Sequence, residues 1–263
     1  MATPIVTLTT DFGAGSGYPA QVKAVLLSAI PDLRIVDVSH EVPRYDVLAG
    51  ALLLEACVPW FPAGTVHVGV VDPGVGTVRR AICVAGEGRT FVGPDNGLFT
   101  PFLDGVARAF EIAPGGALPA PRAATFHGRD LFAPAAAFLA RGGDPAALGP
   151  AIADPARLRQ PAPQVGRGEV RGEALTSDPF GNLVTSIRVA DIAGAEVTRA
   201  TAGGQPARWV RTFGEGNPGE LLAMIGSGGR VEIAVREGSA AVRLGGTRGI
   251  PVRLVLGRAR GAC

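Results

Sequence analysis

Apolar and polar positions follow two different periods along the first half of the chain. The β-branched runs "PIVTLTT", "LRIVDVS" and "TVHVGVV" predict strands near residues 4–10, 33–39 and 65–71. Between them, "PAQVKAVLLSAI" and "YDVLAGALLLEAC" place apolar residues at helical spacing and predict two helices. Two further strands are predicted at "AICVAG" and "TFVG". This succession predicts an α/β domain with a parallel or mixed sheet and flanking helices.

The pattern changes in the second half of the chain. A last helix is predicted at "DLFAPAAAFLARG", with Asp130 near its N-cap. Residues 144–167 are rich in Pro and Ala, which is typical of a linker. After them, helix signals disappear and short β-rich runs alternate with glycine turns. We therefore predict an α/β domain over 1–160 and a small all-β, barrel-like domain over 167–263.

Composition and charge exclude several classes of partner. The 263 residues are 47% hydrophobic and carry a formal net charge of +2, and no run of basic residues is visible. Nucleic acid and acidic lipid are therefore not expected as partners. No apolar run approaches the roughly 18 residues of a membrane span, and no signal-peptide pattern is visible. Three cysteines (Cys57, Cys83 and Cys263) without C-x-x-C spacing favour a reducing cytoplasm.

Two aspartates directly follow predicted strands. Asp11 comes after "IVTLTT" and Asp72 after "VHVGVV", and both precede glycine-rich turns. Ligands of open α/β sheets bind outside the carboxyl ends of the strands, so these positions are candidate site residues. Asp and Gly are also the ordinary residues of turns, and for either motif alone this interpretation is equally good. Arg79 follows Asp72 closely enough to share a site with it.

The other polar motifs add one histidine and exclude some cofactor sites. His127 lies in "TFHGRD" just before a predicted helix, whereas His40 and His67 lie beside strands and are expected to be structural. The three histidines do not have metal-ligand spacing, so no metal is expected. In "GAGSG" the third glycine of a dinucleotide fingerprint would fall on Tyr18, and no P-loop motif or nucleophile elbow occurs.

Taken together, the motifs resemble one family. They are "TLTTDFG", "VDVSHEV", "FPAGTVHVGVVDPGVGTVRR", "FVGPDNGLFTPFL", "TFHGRDLFAPAAAFLA", "DPFGNLVTSI" and "GSGGRVEIAV". Their order from about Ile5 to Leu256 resembles the S-adenosylmethionine (SAM) hydroxide adenosyltransferases, relatives of the fluorinase and chlorinase. The resemblance implies an α/β domain plus a β-barrel, and a homotrimer with sites between neighbouring subunits. The implied reaction attacks ribose C5′ of SAM with water or hydroxide and yields adenosine and L-methionine; SAM is the substrate and no cofactor is implied.

The resemblance also implies roles for individual residues. The set that activates water falls on Asp72, Arg79 and His127. A carboxylate can accept a proton or orient water, and a permanently protonated guanidinium favours hydroxide over neutral water. The implied substrate-binding residues are Asp11 for the ribose hydroxyls, Tyr45 and Phe126 around the nucleoside, Asp178 and Asn182 for the methionine amino group and adenine edge, and Ser227 and Glu232 from the barrel domain, contributed by the adjacent subunit.

The chain also departs from the family pattern, and two other functions stay open. The loop near Ser16 and Gly17, Pro179 in "DPFGN" and Arg230 in "GSGGRVE" stand where relatives often carry other residues. Halogenation is the nearest alternative, but halogenating relatives replace the Asp of the "VDPGVG" motif with an aromatic, and a carboxylate repels halide. A non-catalytic SAM- or adenosine-binding protein is the second alternative, although binding alone does not require Asp72, Arg79 and His127.

Overall fold

The chain folds into two compact units, Met1–Leu158 and Arg159–Cys263. A computed structural model describes residues 3–105, 107–113, 115 and 117–257; Cys263 lies outside them. The described part of the first unit contains strands β1 (Ile5–Thr10), β2 (Arg34–Ser39), β3 (Val66–Val70), β4 (Ala81–Gly86), β5 (Arg89–Pro94), β6 (Arg108–Glu111) and β7 (Ala151–Ile152), with helices α1 (Tyr18–Ala29), α2 (Val47–Cys57) and α3 (Ala133–Ala140).

The strands of the first unit form one mixed sheet. Its order is β2-β1-β3-β5-β4-β6-β7. Neighbours from β2 to β5 run parallel, and β4, β6 and β7 pair antiparallel with their neighbours. The carboxyl ends of β1, β3 and β5 therefore meet at one edge of the sheet, where ligand sites are expected. The prediction of an α/β domain with a mixed sheet and flanking helices is confirmed.

Both faces of this sheet are covered by helices. Val22 and Leu26 of α1 share a buried cluster with Val6 and Leu8 of β1, and α3 contributes to it. A separate cluster contains Leu54 of α2 together with residues from β4 and β5. Burial on both faces explains why β3 is apolar almost without interruption, since neither face has to be polar.

The second unit is a closed antiparallel barrel apart from one parallel pairing. Its described strands are β8 (Gln164–Gly166), β9 (Glu169–Ser177), β10 (Leu183–Arg188), β11 (Val197–Ala202), β12 (Gln205–Trp209), β13 (Leu221–Ile225), β14 (Arg230–Val235) and β15 (Pro251–Leu256). The order β10-β14-β13-β12-β11-β15-β9 closes because β9 also pairs with β10, while β8 extends the sheet beyond β9. Alternate strand residues such as Leu183, Ile233 and Leu254 fill the interior. The predicted barrel-like domain is confirmed.

Some local expectations were wrong. The second unit contains two short helices, α4 (Val189–Ile192) and α5 (Ala240–Leu244), although no helix was predicted there. Asp130 is not an N-cap: it lies inside a π-helical turn, Gly128–Phe132, and accepts hydrogen bonds from the neighbouring guanidinium and a loop amide. Both errors come from segments of four or five residues, which are too short to show helical periodicity.

The segment predicted as a linker also carries regular structure. Within residues 144–167, β7 joins the sheet of the first unit and β8 joins the barrel, with a 3₁₀ turn at Pro145–Leu148. Pro and Ala therefore dominate a stretch that is paired at both ends rather than unstructured throughout. Among the described residues, no helix combines the length and apolarity needed to cross a membrane.

Candidate active site

The loop between β3 and β4 brings Asp72 and Arg79 together. Two consecutive turns reverse the chain after β3. The Val75 amide donates to the Asp72 carbonyl at 3.3 Å, and the Thr77 amide donates to the Gly74 carbonyl at 3.2 Å. The loop therefore returns Arg79 to the place where Asp72 leaves the strand.

Glycine is required at one position of this loop. Gly76 has a φ of 77°, in the left-handed region that favours glycine. A Cβ atom at this position would lie only 3.1 Å from the carbonyl oxygen of Ala124. The loop therefore packs closely against the segment that leads to His127, and the glycine-rich sequence has a steric cause.

The Asp72 and Arg79 side chains form a buried, two-pronged ion pair. Arg79 Nε donates to Asp72 Oδ1 at 2.9 Å, and Arg79 Nη2 donates to Asp72 Oδ2. The two side chains are only 5% and 11% exposed, so solvent screens the pair weakly. Bidentate geometry fixes the orientation of the carboxylate as well as its distance from the guanidinium.

His127 joins this pair through its Nδ1 atom. Arg79 Nη2 lies 2.9 Å from His127 Nδ1. A guanidinium has only donors, so Nδ1 must accept, and the imidazole is neutral with its proton on Nε2. Burial, and then the positive charge of Arg79, lower the pKa of His127 against the opposing effects of Asp72 and Asp130. Both the hydrogen bond and the pKa shift therefore favour the neutral ring.

The π-helical turn Gly128–Phe132 positions His127 and a supporting aromatic ring. The Ala133 amide donates to the Gly128 carbonyl, five residues back, which is the π-helical hydrogen bond. Phe132 is fully buried, and its ring centroid lies 5.4 Å from Arg79 Cζ and 6.4 Å from the centre of the His127 ring. This ring is a rigid apolar support for the ionic group.

A cavity of about 570 Å³ opens beside the ionic group, within the first unit. It is lined by five of the residues predicted from the sequence: Asp11, Tyr45, Asp72, Phe126 and His127. Arg79 is not among the lining residues, because it lies behind Asp72. The cavity therefore brings together the predicted nucleoside residues and two of the three predicted water-activating residues, and the third, Arg79, contacts both of those two.

Asp11 and Tyr45 both line the cavity and are hydrogen-bonded to each other. Asp11 Oδ2 accepts a hydrogen bond from the Tyr45 amide at 2.9 Å. Tyr45 has a φ of 64°, which is unusual for a residue with a side chain, and its side chain is exposed. The Asp11 carboxylate thus holds the backbone of a residue whose ring is left available at the surface.

An aromatic cluster that was not predicted forms one wall of the cavity. The ring centroids of Phe12 and Tyr18 both lie near Phe126, at 5.8 and 5.1 Å, in edge-to-face arrangements. A Cβ atom at Gly128 would approach the Phe12 ring to 3.0 Å, so this glycine permits the packing. Arg129 stacks over Phe126 with its Cζ atom 5.0 Å from the centroid. The sequence signal for this cluster is Phe12 directly after Asp11, whereas Tyr18 gives no signal beyond interrupting a glycine fingerprint.

The second unit brings Asp178 and Asn182 together in the turn after β9. Asp178 Oδ1 accepts from the amides of Phe180 and Asn182, at 2.9 and 2.8 Å. Asp178 Oδ2 accepts from the Asn182 side-chain amide at 2.8 Å. Pro179 occupies the corner of this turn, where it has no amide to leave unpaired.

Glu232 of β14 lies near Asp178. Burial, and then the negative charge of Asp178, raise the pKa of Glu232. Glu232 packs over Gly226, where a Cβ atom would collide with the carboxylate, and Ser227 follows in the same turn between β13 and β14. Three of the four predicted barrel residues thus cluster, and Ser227 lies at their edge.

His40, His67 and Arg230, the last of which differs from the family pattern, all make hydrogen bonds with neighbouring strands. His67 is fully buried and its Nδ1 lies 2.8 Å from Thr7 Oγ1; His40 makes the same contact with Thr10. Burial lowers the pKa of His67 to about 4. Arg230 is buried, and its Nη1 donates to the Thr185 carbonyl at 3.3 Å. Among the described residues, no group of three or more His, Cys, Asp or Glu side chains is arranged to hold a metal ion.

Comparison with protein-family models gives two matches that cover most of the chain. The SAM hydroxide adenosyltransferase N-terminal domain matches residues 6–149. The SAM hydroxide adenosyltransferase C-terminal domain matches residues 172–253. The two matches fall on the α/β unit and on the barrel, respectively.

Individual proteins are similar over nearly the whole length. A protein of Thermus thermophilus named (R)-S-adenosyl-L-methionine hydrolase is 44% identical over 95% of this chain and 99% of its own. A Salinispora tropica protein of the same name is also 44% identical, over 97% and 99%. A fluorinase of Actinoplanes sp. is 31% identical over 72% and 73%.

A solved structure shares the fold. The crystal structure of an uncharacterized conserved protein from Thermotoga maritima matches with a TM-score of 0.87 and 34% identity. The match covers 95% of this chain and 99% of that one.

Proposed function

Because the chain belongs to the SAM hydroxide adenosyltransferase family, we propose that it hydrolyses SAM to adenosine and L-methionine. The oxygen of water bonds to ribose C5′, the C5′–sulfur bond breaks, and its electron pair stays on sulfur as the thioether of methionine. One proton is released to solvent. The observation that carries the proposal is the buried Asp72–Arg79–His127 group beside a cavity of nucleoside-binding character.

The three polar residues divide the work on the attacking water. Arg79 stays protonated and lowers the energy of an anionic oxygen near the site. Each Asp72 oxygen accepts one hydrogen bond from Arg79 and keeps a second lone pair for a water proton. His127 uses Nδ1 toward Arg79, so its Nε2–H can only donate. Asp72 is therefore the proton acceptor in this proposal, and His127 orients the water.

The cavity and the barrel supply the substrate contacts. The Asp11 carboxylate takes the ribose hydroxyls, and the Tyr45 and Phe126 rings pack on the nucleoside. Asp178 and Asn182 bind the methionine amino group and the adenine edge, and Ser227 and Glu232 add contacts from the barrel. The support for the second set is its chemistry: carboxylates near each other attract a cationic ligand. SAM carries two positive charges, on sulfur and on the amino group.

Hydrolysis in ¹⁸O-labelled water tests the reaction. We expect adenosine and methionine in equal amounts, with one ¹⁸O atom at the adenosine 5′-hydroxyl. Unlabelled adenosine would contradict attack at C5′. Running the assay in chloride separates halogenation, because 5′-chloro-5′-deoxyadenosine as the main product would replace water by halide as the nucleophile. Addition of a chelator leaves the rate unchanged, because the proposed reaction uses no metal or other cofactor.

Three finer properties complete the proposal. The relatives are named for (R)-S-adenosyl-L-methionine, so we expect the R epimer at sulfur to be consumed first from an epimer mixture, as chromatography can show. A homotrimer, as the family resemblance implies, is supported by large exposed apolar side chains, including Trp60 and Phe180, and is tested by light scattering. A cytoplasmic location is supported by the free thiols of Cys57 and Cys83, and is tested by cell fractionation.

A further inference from the structure

The loop between β3 and β4, which carries Asp72 and Arg79, crosses the end of β5, because β5 lies between β3 and β4 in the sheet. The loop leaves β3 at Val70 and enters β4 at Ala81, but β5 lies between these two strands in the sheet. The two ends of the loop are therefore two strand spacings apart, on the order of 10 Å. The residues after β5, Asp95 and Asn96, lie beneath the span.

Asn96 holds the end of the loop that leaves β3. Its side-chain Nδ2 donates to the carbonyl oxygen of Val71 at 2.7 Å. Val71 is fully buried and directly precedes Asp72. The Asn96 Oδ1 atom accepts from the Leu98 amide at 3.2 Å, which fixes the orientation of the amide group. The peptide that carries Asp72 is thus hydrogen-bonded to the end of β5.

Asp95 holds the end of the loop that enters β4. Its Oδ2 accepts from Arg80 Nε at 2.8 Å, and its backbone amide donates to the Arg80 carbonyl at 3.0 Å. That same carbonyl accepts from Arg79 Nη1 at 3.3 Å. The Asp95 side chain is 4% exposed, and the partly exposed Arg80 guanidinium compensates its charge. The Asp95 backbone amide and the guanidinium that holds Asp72 therefore donate to the same carbonyl oxygen, that of Arg80.

Arg80 also connects the loop to the end of the first unit. Its Nη1 and Nη2 donate to the side chain and the carbonyl of Asp154, both at 2.8 Å. Asp95 Oδ1 accepts from the Ala156 amide at 2.7 Å. Arg80, which had no expected role, thus anchors the loop end on two other segments.

We propose that Asp95 and Asn96 are positioning residues that clamp both ends of the loop and thereby set the distance between Asp72, Arg79 and His127. The proposal rests on the proposed function, in which these three residues activate water. Neither clamp residue lines the cavity. Their substitution therefore changes the rate of the chemical step, and it leaves the contacts that bind SAM in place. A displacement of about 1 Å at a reacting group can cost about 10²-fold in rate.

Four variants test the clamp: Asp95→Asn, Asn96→Ala, Arg80→Gln and the conservative Arg80→Lys. Asp104→Asn is the matched control, because it removes a carboxylate from an exposed ion pair with Arg157 in the same unit. For each variant, kcat, KM and the melting temperature are measured. The His127 ring is titrated by NMR, which is practical because the chain has 3 histidines.

For Asp95→Asn, Asn96→Ala and Arg80→Gln we expect kcat to fall by about 10- to 100-fold, with KM changed less than about twofold. Arg80→Lys keeps one charge toward Asp95 and recovers part of the rate. Burial lowers the pKa of His127 most and Arg79 lowers it further, whereas Asp72 and Asp130 raise it, so displacement of Arg79 raises this pKa part of the way back toward 6.5. Asp104→Asn changes none of these quantities.

Two results would overturn the proposal. One is wild-type kcat in Arg80→Gln and Asn96→Ala. The other is a loss of kcat that follows the loss of melting temperature while the pKa of His127 stays fixed, since this is the behaviour of a structural role only. If Asp95→Asn does not fold, the half-exposed Arg80 variants decide the question. The His127 titration needs no substrate, so it tests the clamp even if the wild-type protein does not hydrolyse SAM.

Discussion

Two carboxylates of the candidate site, Asp72 in the α/β unit and Glu232 in the barrel, have opposite electrostatic surroundings. In the α/β unit, Asp72 accepts two hydrogen bonds from a buried guanidinium, so its charge is compensated before any substrate binds. In the barrel, Glu232 is partly buried near a second carboxylate, Asp178, and its pKa is raised. In the proposed function, the first group is held ready to act on water, whereas the second is stabilised when a cationic substrate binds. We therefore expect the first group to act on the rate and the second to act on binding.

The largest expected effect is on Asp72. Asp72→Asn and Asp72→Ala remove the proton acceptor, so kcat falls by about 10²- to 10⁴-fold. We expect SAM still to bind within a few-fold of wild type, because the proposed contact of Asp72 is with water rather than with the nucleoside. The measurements are product chromatography and calorimetric binding, with Asp104→Asn as the control. Unchanged turnover in either variant would remove Asp72 from the mechanism and require another proton acceptor.

Glu232→Gln has the opposite signature. The variant loses a charge–charge contact with the cationic substrate, so KM rises about tenfold and kcat changes little. The same substitution is expected to increase the free energy of unfolding. A carboxyl whose pKa is raised on folding lowers the free energy of unfolding as the pH rises past 4.5, and glutamine avoids this loss. We therefore expect a higher melting temperature at pH 7.

Asp178→Asn is the internal check on this interpretation. Removing the neighbouring charge lowers the pKa of Glu232 toward 4.5, so it should reduce any stability gained from Glu232→Gln. A double-mutant cycle at pH 7 measures the coupling. Additive melting temperatures would show that the two carboxylates do not interact, and the contrast between the two groups would be lost.

The pH dependence of kcat tests the Asp72–Arg79–His127 group. The proposed reaction uses neutral His127, so we expect kcat to fall as the pH drops through the pKa of this residue, which lies below 6.5. The rate at pH 6.5 therefore exceeds half of its plateau, whereas an unshifted histidine would give half. The profile is measured at saturating SAM and constant ionic strength. A midpoint at or above 6.5 would contradict the assignment of Nδ1 as the acceptor from Arg79.

Ser227→Ala is expected to have the smallest effect. Ser227 lies at the edge of the barrel cluster, and loss of one neutral hydrogen bond to the substrate raises KM about threefold. The matched control is Ser28→Ala in α1, outside the barrel. A change in kcat without a change in KM would place Ser227 with the rate-setting group instead.

Local sequence patterns predicted most of the helices and strands, and hydrogen bonding between neighbouring strands determined the others. Strands β1 to β5 and helices α1 to α3 follow from periodicity, and closure of the barrel agrees with the predicted class. Strand β13, "LLAMI", carries no strand signal of its own, because Leu, Ala and Met favour helices. Its hydrogen bonds to β12 and β14 determine its state.

For the candidate site, the sequence indicated which residues take part but not how they are arranged. Residue types and the family resemblance identified Asp72, Arg79 and His127, and the structure places them within hydrogen-bond distance. The bidentate geometry could not be predicted, because it depends on how the loop reverses. Asp95 and Asn96 could not be connected to the site either, since their position beneath the loop follows from the strand order β3-β5-β4.

Because of the π-helical turn at Gly128–Phe132, we expect a deletion of one residue to abolish the activity while the fold is kept. This turn contains one residue more than an α-helical turn would, and the extra residue lies between His127 and the buried helix α3. We expect an in-frame deletion of the codon for Arg129, the one residue of this turn that is not buried, to convert it to an α-helical turn with α3 still packed in the core. It also rotates His127 by about 100° around the helix axis. We expect such an allele to produce stable, inactive protein, so a lineage can lose this activity without losing the fold.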